Sequence, residues 1–383
     1  MVDKRKKITV KNGISYNGKS YSYVLRIPDP ITGKTKPKWV AGFESEKLAK
    51  VARDKARVAL ADRNYAEPNR QTVAEYLDDW YAIHANRVGA ETVYKYGAIM
   101  RKHVIPRIGS MKLQDLRPLH IEKLYAELLT TPQKTGKCLA PRSVKTIATI
   151  LKTALKYAVE VTGSLTFNPA SRVKAPRYSG TNFTPWTFSE LRTFLKQAEP
   201  HRLYFFYRLS AYTGARRGEL CALKWSDFDG SAITISATRG GLGEKATTKG
   251  GHGQRRVSLD TETIAQFQAH RKRQVVERMA LGANWTETGY IFVTEAGLPI
   301  CVNTPSYFQK KITREAGLRP TRLHDLRHLH ATELLRLGEP LHVVANRLGH
   351  RDAMVTATIY AHVTTEQGES ASARFADASA LAK

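Results

Sequence analysis

From Asn168 to Pro185 the chain carries Pro169, Pro176, Gly180 and Pro185 without any apolar period, a run that can continue neither a helix nor a strand. It reads as a hinge, and it splits a chain of 383 residues into parts that must each close a core of their own. Two or three domains are the natural expectation, because single cores stop growing near about 250 to 300 residues. Upstream, from Thr72 to Val161, the pattern is helical throughout, opening on Thr72 and Glu75 in capping-box spacing. Its last helix is the clearest. Val144, Ile147, Leu151, Ala154, Leu155 and Ala158 recur at helical spacing, while Lys145, Lys152 and Lys156 fall on another face.

The first 65 or so residues behave differently. Ile8 to Val10, Tyr21 to Ile27 and Trp39 to Phe43 are short aromatic and β-branched runs, separated by Asn12-Gly13, Asn17-Gly18 and Pro28-Asp29-Pro30. Asn-Gly between such runs is a strong hairpin signal, so a small three-stranded sheet is predicted. Ser45 can then cap a helix to about Arg63, with Leu48, Val51, Ala52 and Ala56 inward and Lys47, Lys50, Arg53, Lys55 and Arg57 largely outward. Beyond the hinge a mostly helical region starts at Thr187 with Glu190, or at Ser189. One strand pair interrupts it, Ala232 to Ala237 and Arg256 to Leu259, on either side of a long glycine-rich turn. The expected fold class is mostly α and multidomain (α+β), with domains at residues 1–65, 70–175 and 180–383.

Charge narrows the partner. Lys and Arg outnumber Asp and Glu by 61 to 34, and the net +27 is spread as +10, +9 and +8 over residues 1–70, 71–178 and 179–383. Such a chain repels itself when compact, which points to a polyanion, and the even spread excludes a basic tail on a neutral enzyme. With 42% apolar residues the chain folds rather than serving as a disordered basic arm. Contacts to double-stranded DNA are expected from Lys36 and Lys38 on the sheet, Lys145, Lys152 and Lys156 on the helix, and Arg172 and Lys174 in the hinge. Cys138, Cys221 and Cys301 form no CxxC pair, and no apolar run approaches the roughly 18 residues of a membrane span. A cytoplasmic protein without a membrane partner is the expectation.

Four segments beyond the hinge hold polar residues that a helical core does not call for. They are Tyr212 to Trp225, containing Thr-Gly-Ala-Arg216-Arg217-Gly-Glu219; Thr248-Lys249; Leu323-His324-Asp325-Leu326-Arg327-His328; and Leu348-Gly-His350 followed by Tyr360-Ala-His362. Two arginines, a lysine, two histidines and a tyrosine make up a kit for phosphoryl transfer without metal. A phosphodiester under attack gathers charge on its nonbridging oxygens, and guanidinium forks hold two of them at once, a role for Arg216 and Arg327. Lys249 on a mobile turn can protonate a leaving 5′ oxygen, His324 can act as acid or base, and His350 can donate to a phosphate oxygen. A phenol with a pKa of about 10 becomes a nucleophile when cations stabilise its phenolate, which is the part for Tyr360. His324, His328 and His330 have no carboxylate or cysteine pair beside them, so no metal is expected, and no Walker-type loop is present for ATP.

This order resembles the tyrosine recombinase (phage integrase) family, whose signature is Arg, Lys, His-x-x-Arg, His or Trp, and Tyr. The resemblance covers about residues 180 to 365. It implies that Arg216, with Arg217 as the competing assignment, Lys249, His324, Arg327 and His350 are catalytic, that Tyr360 is the nucleophile, and that Glu219 supports the site. Lys245 is the alternative general acid, because Lys249 sits in an unusually loose turn. Residues 70 to 175 look like the family's helical core-binding domain and the first 65 like an arm-binding domain. The function implied is a cofactor-independent site-specific recombinase that works through a covalent 3′-phosphotyrosine and a Holliday junction, integrating or excising a phage or mobile element. Its implied partners are core and arm DNA sites, three further protomers, a host DNA-bending factor and an excisionase. A type IB topoisomerase and a non-catalytic DNA-binding protein on the same scaffold are the alternatives. Phe375 and Leu381 are candidates for docking the C-terminal tail on a neighbouring protomer.

Overall fold

The computed structural model describes residues 8–10, 13–28, 34–62, 65–133, 136–178, 184–246 and 254–350. It falls into two compact units, Met1–Gly180 and Thr181–Lys383, divided within the Pro-containing run. Most of the ordered elements are helices. Among the described residues no helix is long and apolar enough to cross a membrane.

In the first unit, β1 (Ile8–Val10), β2 (Ile14–Tyr16), β3 (Tyr21–Pro28) and β4 (Thr35–Phe43) form an antiparallel sheet in that order. The expected sheet is therefore extended by Ile14–Tyr16, a run too short to show alternation in the sequence. Ile14 lies opposite Tyr23, and both are buried with Leu25 beneath helix α1 (Glu46–Ala61). The Ser45 hydroxyl accepts from the Leu48 N–H and starts that helix, as its sequence position suggests. Its inward face matches the expectation at Ala52 and Ala56 and departs from it at Leu48, Val51 and Arg53. Ala49, Arg53 and Ala56 face the sheet, whereas Leu48 and Val51 are 53% and 46% exposed. Small side chains let helix and sheet approach closely. Arg53, only 6% exposed, keeps its guanidinium satisfied on the Asp54 carboxylate, with Nη2 at 2.8 Å.

The same unit continues with α2 (Val73–His84), α3 (Ala90–Ile99), α4 (Ile105–Ile108), α5 (Pro118–Thr130) and α6 (Pro141–Glu160). The capping box at Thr72 and Glu75 is formed in both directions. A single π-turn, Met100–Val104, carries α3 into α4. Helix α6 buries Val144, Ile147, Leu151, Ala154, Leu155 and Ala158, which pack with Trp80, Leu124 and Leu128. Each large aliphatic side chain so buried contributes about 1.5–3 kcal/mol. The Tyr76 hydroxyl crosses this core to donate to the Ala154 carbonyl at 2.6 Å.

The second unit contains α7 (Phe188–Ala198), α8 (Tyr204–Thr213), α9 (Arg217–Leu220), β5 (Ala232–Ile235), β6 (Ala237–Gly240), β7 (Gly243–Ala246), β8 (Arg255–Ser258), α10 (Thr261–Leu281), α11 (Thr304–Glu315), α12 (Asp325–Arg336) and α13 (Leu341–Leu348). Thr187, not Ser189, caps α7, because Glu190 returns the bond to the Thr187 N–H. Strand β5 pairs with β8 as expected, but part of the glycine-rich turn is itself a hairpin of β6 and β7. The core gathers Phe194, Phe206, Tyr207, Phe267 and Leu326 around α8. That buried helix is the scaffold from which the polar segments project.

Candidate active site

Helix α8 ends at Gly214, whose φ of 64° is left-handed. A Cβ there would stand 2.7 Å from Leu348 Cδ2 and 2.9 Å from His330 Cδ2, so glycine is required by space as well as by conformation. The turn brings the Gly214 carbonyl to Arg327 Nη1, which donates at 2.8 Å from a guanidinium buried in α12. Two residues on, Arg216 occupies the N-cap of α9, and Glu219 in its first turn accepts from both the Arg216 N–H (2.7 Å) and Nη1 (2.9 Å).

Glu219 is 4% exposed and has a second cation. Arg255, the first residue of β8, donates from Nη1 and Nη2 to the two carboxylate oxygens at 3.2 and 2.8 Å, and from Nε to the Arg347 carbonyl at 2.8 Å. Burial alone would raise the Glu219 pKa, yet the bonds to Arg255 and Arg216 hold it below the usual carboxylate range. Arg216 Nη2 also reaches the Gly349 carbonyl at 3.4 Å. Orphan carbonyls at the end of α13 are thus satisfied by arginines. Arg347 completes the brace by donating from Nε to His330 Nε2 at 3.1 Å and from Nη2 to the Tyr212 carbonyl at 3.1 Å.

Around this frame stand the histidines. His324 immediately precedes α12, whose first residue, Asp325, is buried and accepts from the Arg322 N–H at 2.7 Å and the Thr321 hydroxyl at 3.1 Å. The His324 ring meets His328 edge-on at 4.9 Å. Loss of hydration, then His328, Arg327 and Arg216, push His324 down to about 4. His350 follows the left-handed Gly349 and is also pushed down to about 4, by desolvation and by Arg327, Arg216 and Arg255. At neutral pH both rings are neutral, each able to donate from one nitrogen and accept at the other. His330 falls to about 3 for similar reasons, burial first and Arg347 second, and its place under α8 makes it a packing group.

The structure therefore brings together Arg216, Glu219, His324, Arg327 and His350. Arg217 lines the same cavity of about 520 Å³ as Arg216, Lys310 and His324, and its Nη1 donates to the Ser306 hydroxyl at 2.9 Å. Strand β6 lies against α9 so closely that a Cβ at Gly218 would come within 2.6 Å of Thr238 Oγ1. Lys245 sits opposite Thr238 on β7 and is exposed. Lys249, Tyr360, Phe375 and Leu381 lie outside the described residues. Among the described residues no three His, Cys, Asp or Glu side chains are grouped to hold a metal ion.

Lys145, Lys152 and Lys156 are exposed along one side of α6, and Arg172 and Lys174 are exposed after it, with Arg172 over the Phe167 ring at 5.2 Å. Lys36 and Lys38 pair across the sheet with Ile27 and Leu25, which places them on the α1 side, and Lys38 is ion-paired with Glu67. The opposite face of β3 and β4 presents Arg26 and Trp39 instead. Arg255 and Arg347 were not singled out from the sequence. The available signal was an arginine opening a strand directly after the lysine-bearing turn.

A buried carboxylate that orients a guanidinium, a second guanidinium nearby and two neutral imidazoles are groups that can hold a phosphate and move a proton, gathered on a helical scaffold. The sequence matches the phage integrase family over residues 184–367, the N-terminal SAM-like domain of phage integrases over 72–129, and an arm DNA-binding domain over 14–56. The chain belongs to the phage integrase family, the tyrosine recombinases, enzymes that break and rejoin DNA. A tyrosine recombinase XerC-like protein of Caldanaerobacter subterraneus is 28% identical over 384 residues, spanning 94% of this chain and 95% of the relative. An integrase of Streptomyces ambofaciens is 27% identical over 353 residues, spanning 88% and 85%. Among solved structures, the Tn1549 transposon integrase in complex with transposon right-end DNA superposes with a TM-score of 0.63 at 19% identity, over 78% of this chain and 99% of that one. A lambda integrase dimer bound to a core site gives 0.56 at 19% identity, over 93% and 96%. These two share the fold.

Proposed function

We propose that this protein is an integrase that recombines DNA at specific sites, cleaving one strand at a time. The observation that carries the reading is the convergence of Arg216, His324, Arg327 and His350 from α9, α12 and α13 on a brace built by Glu219 and Arg255. In the reaction, the Tyr360 phenol attacks the phosphorus, the bond to the 5′ oxygen breaks, and the 3′ phosphate stays on the tyrosine. Arg216 and Arg327 hold the nonbridging oxygens as charge builds on them, and His350 donates to one of them. Lys249 gives the leaving 5′ oxygen its proton, with Lys245 as the alternative, and His324 takes up the phenol's proton. The 5′ hydroxyl of a partner strand then reverses the step through a Holliday junction, so bond energy is conserved and no cofactor is consumed. Glu219 orients Arg216 and does not react.

Residues 1–65 serve distal arm sites, and residues 70–175 and 180–383 grip the core site. Lys145, Lys152, Lys156, Arg172 and Lys174 meet phosphates, and Lys36 and Lys38 border the arm contact. Four protomers assemble on two core sites in the cytoplasm of a bacterial host, aided by a DNA-bending factor and an excisionase, with the C-terminal tail docking on a neighbour. Similar proteins of Streptomyces ambofaciens, Saccharopolyspora erythraea and Bacillus subtilis are integrases, which favours integration over supercoil relaxation. The test is a nicked core-site substrate that traps the adduct. The wild-type protein should form a covalent complex on a denaturing gel, and Tyr360→Phe should bind the same DNA without forming one. An adduct on the Phe variant would move the nucleophile to another residue.

A further inference from the structure

Arg255 touches both halves of the site without facing the cavity. Its side chain is only 7% exposed, and its three nitrogens end on both oxygens of Glu219 and on the Arg347 carbonyl. Glu219 fixes Arg216, while the Arg347 carbonyl belongs to the last turn of α13, two residues before Gly349 and three before His350. One planar guanidinium therefore sets the spacing between the element that carries Arg216 and the element that carries His350. A planar fork with donors at fixed angles can do this, and a single ammonium cannot. Gly349 gives an independent sign of the same packing. A Cβ there would lie 2.7 Å from Arg255 Nη1 and 3.0 Å from Cζ, so the glycine of Leu-Gly-His is smoothed to fit this guanidinium as well as to take its φ of 69°. The strand that Arg255 opens is also the one to which the Lys249-bearing segment returns.

We propose that Arg255 is a positioning residue for strand cleavage, locking Arg216 and His350 into register through Glu219 and the end of α13. The proposal rests on the recombinase reading of the site. Other charges packed around Glu219 are engaged elsewhere. Arg217 bonds Ser306, Arg239 donates to the Ile300 carbonyl, Arg347 holds His330 and the Tyr212 carbonyl, and His350 is neutral. Arg216 and Arg255 are thus the cations that keep the Glu219 carboxylate ionised, and loss of Arg255 lets burial raise its pKa.

The experiment uses the full-length protein with a nicked core-site duplex, measuring single-turnover adduct formation from pH 5 to 9 alongside equilibrium binding. Arg255→Gln should bind DNA as the wild type does but form the adduct about 10- to 100-fold more slowly at neutral pH, as expected for misplaced catalytic groups. Its acid limb should move to higher pH, because Glu219 now protonates sooner. Arg255→Lys, which restores the charge without the fork, should return the acid limb to its wild-type position while leaving most of the rate loss. Combining Arg255→Gln with Glu219→Gln should remove the shifted limb. Should the Gln variant fail to fold, the Lys variant decides alone by the split between limb and rate. A Gln or Lys variant with wild-type rates, or a loss that is uniform across pH and matched by lost affinity, would overturn the positioning role. A wild type that forms no adduct on any core site would instead overturn the recombinase reading and this one with it.

Discussion

His270 is held in one tautomer. Its Nε2 donates to the Ile291 carbonyl at 2.7 Å, and its Nδ1 accepts from Arg273 Nη2 at 2.8 Å, inside the core of the second unit. Burial, opposed by the Ile291 bond and aided by Arg273 and Arg202, pushes its pKa down to about 4, and Glu277 is the facing carboxylate. The unfolded ring titrates near 6.5, so the unfolded chain binds more protons and stability falls as pH drops from about 6.5 through 4, by about 3 kcal/mol in total. His270→Gln can keep both bonds without titrating. Denaturant melts of the variant should therefore flatten by about 1.4 kcal/mol per pH unit relative to wild type across that interval, and parallel curves would mean that the ring is protonated in the fold. Residues of this kind were not legible in the sequence. Arg216, His324, Arg327 and His350 were, because the chemistry restricts their type and their spacing carries the signature. Arg255 was hidden, since an arginine at a strand end looks like a surface charge until its carboxylate partner is placed 36 residues away in sequence.

At the scale of elements, periodicity worked where one face is broad and aliphatic and failed where the contact is made by small residues. Helix α6 was readable from its spacing alone. Helix α1 was readable only in part, because the ranking of side chains by apolarity turns Leu48 and Val51 inward beside Ala52 and Ala56, whereas the sheet accepts Ala49 at short range and covers Arg53. Strand β2 and the β6–β7 hairpin are three or four residues long, too short for any period to register. The α1 arrangement gives a direct prediction. Leu48→Lys, at an exposed position, should change stability by no more than about 0.5 kcal/mol, while Ala49→Leu should cost about 1–3 kcal/mol by overpacking against Tyr23 and Leu25. Amide exchange within residues 46–61 reads this locally, which matters because a multidomain chain need not melt in one step. Equal protection in the two variants would contradict the inward face seen here.

For the whole molecule, the spread of charge matters more than its total. A net +27 divided almost evenly among three stretches suits a chain that meets DNA along its length, and each phosphate neutralised steepens the dependence of affinity on salt by about 0.9 in a log–log plot. If residues 1–65 serve only arm sites, their deletion removes contacts from one kind of DNA and not from another. On a duplex holding the core site alone, the truncated and full-length proteins should show the same salt slope and the same rate of adduct formation. On a duplex with core and arm sites, the full-length protein should be steeper by several units, one for each arm phosphate engaged, and the truncated protein should fall back to the core-only slope. Recombination between full-length sites should then be lost while cleavage persists. The residue-scale and molecule-scale assignments are separable by this design, because the positioning role proposed for Arg255 concerns the cleavage step whichever duplex is used. A truncated protein that keeps the steep slope on the longer duplex would assign the arm contacts to residues beyond the first 65.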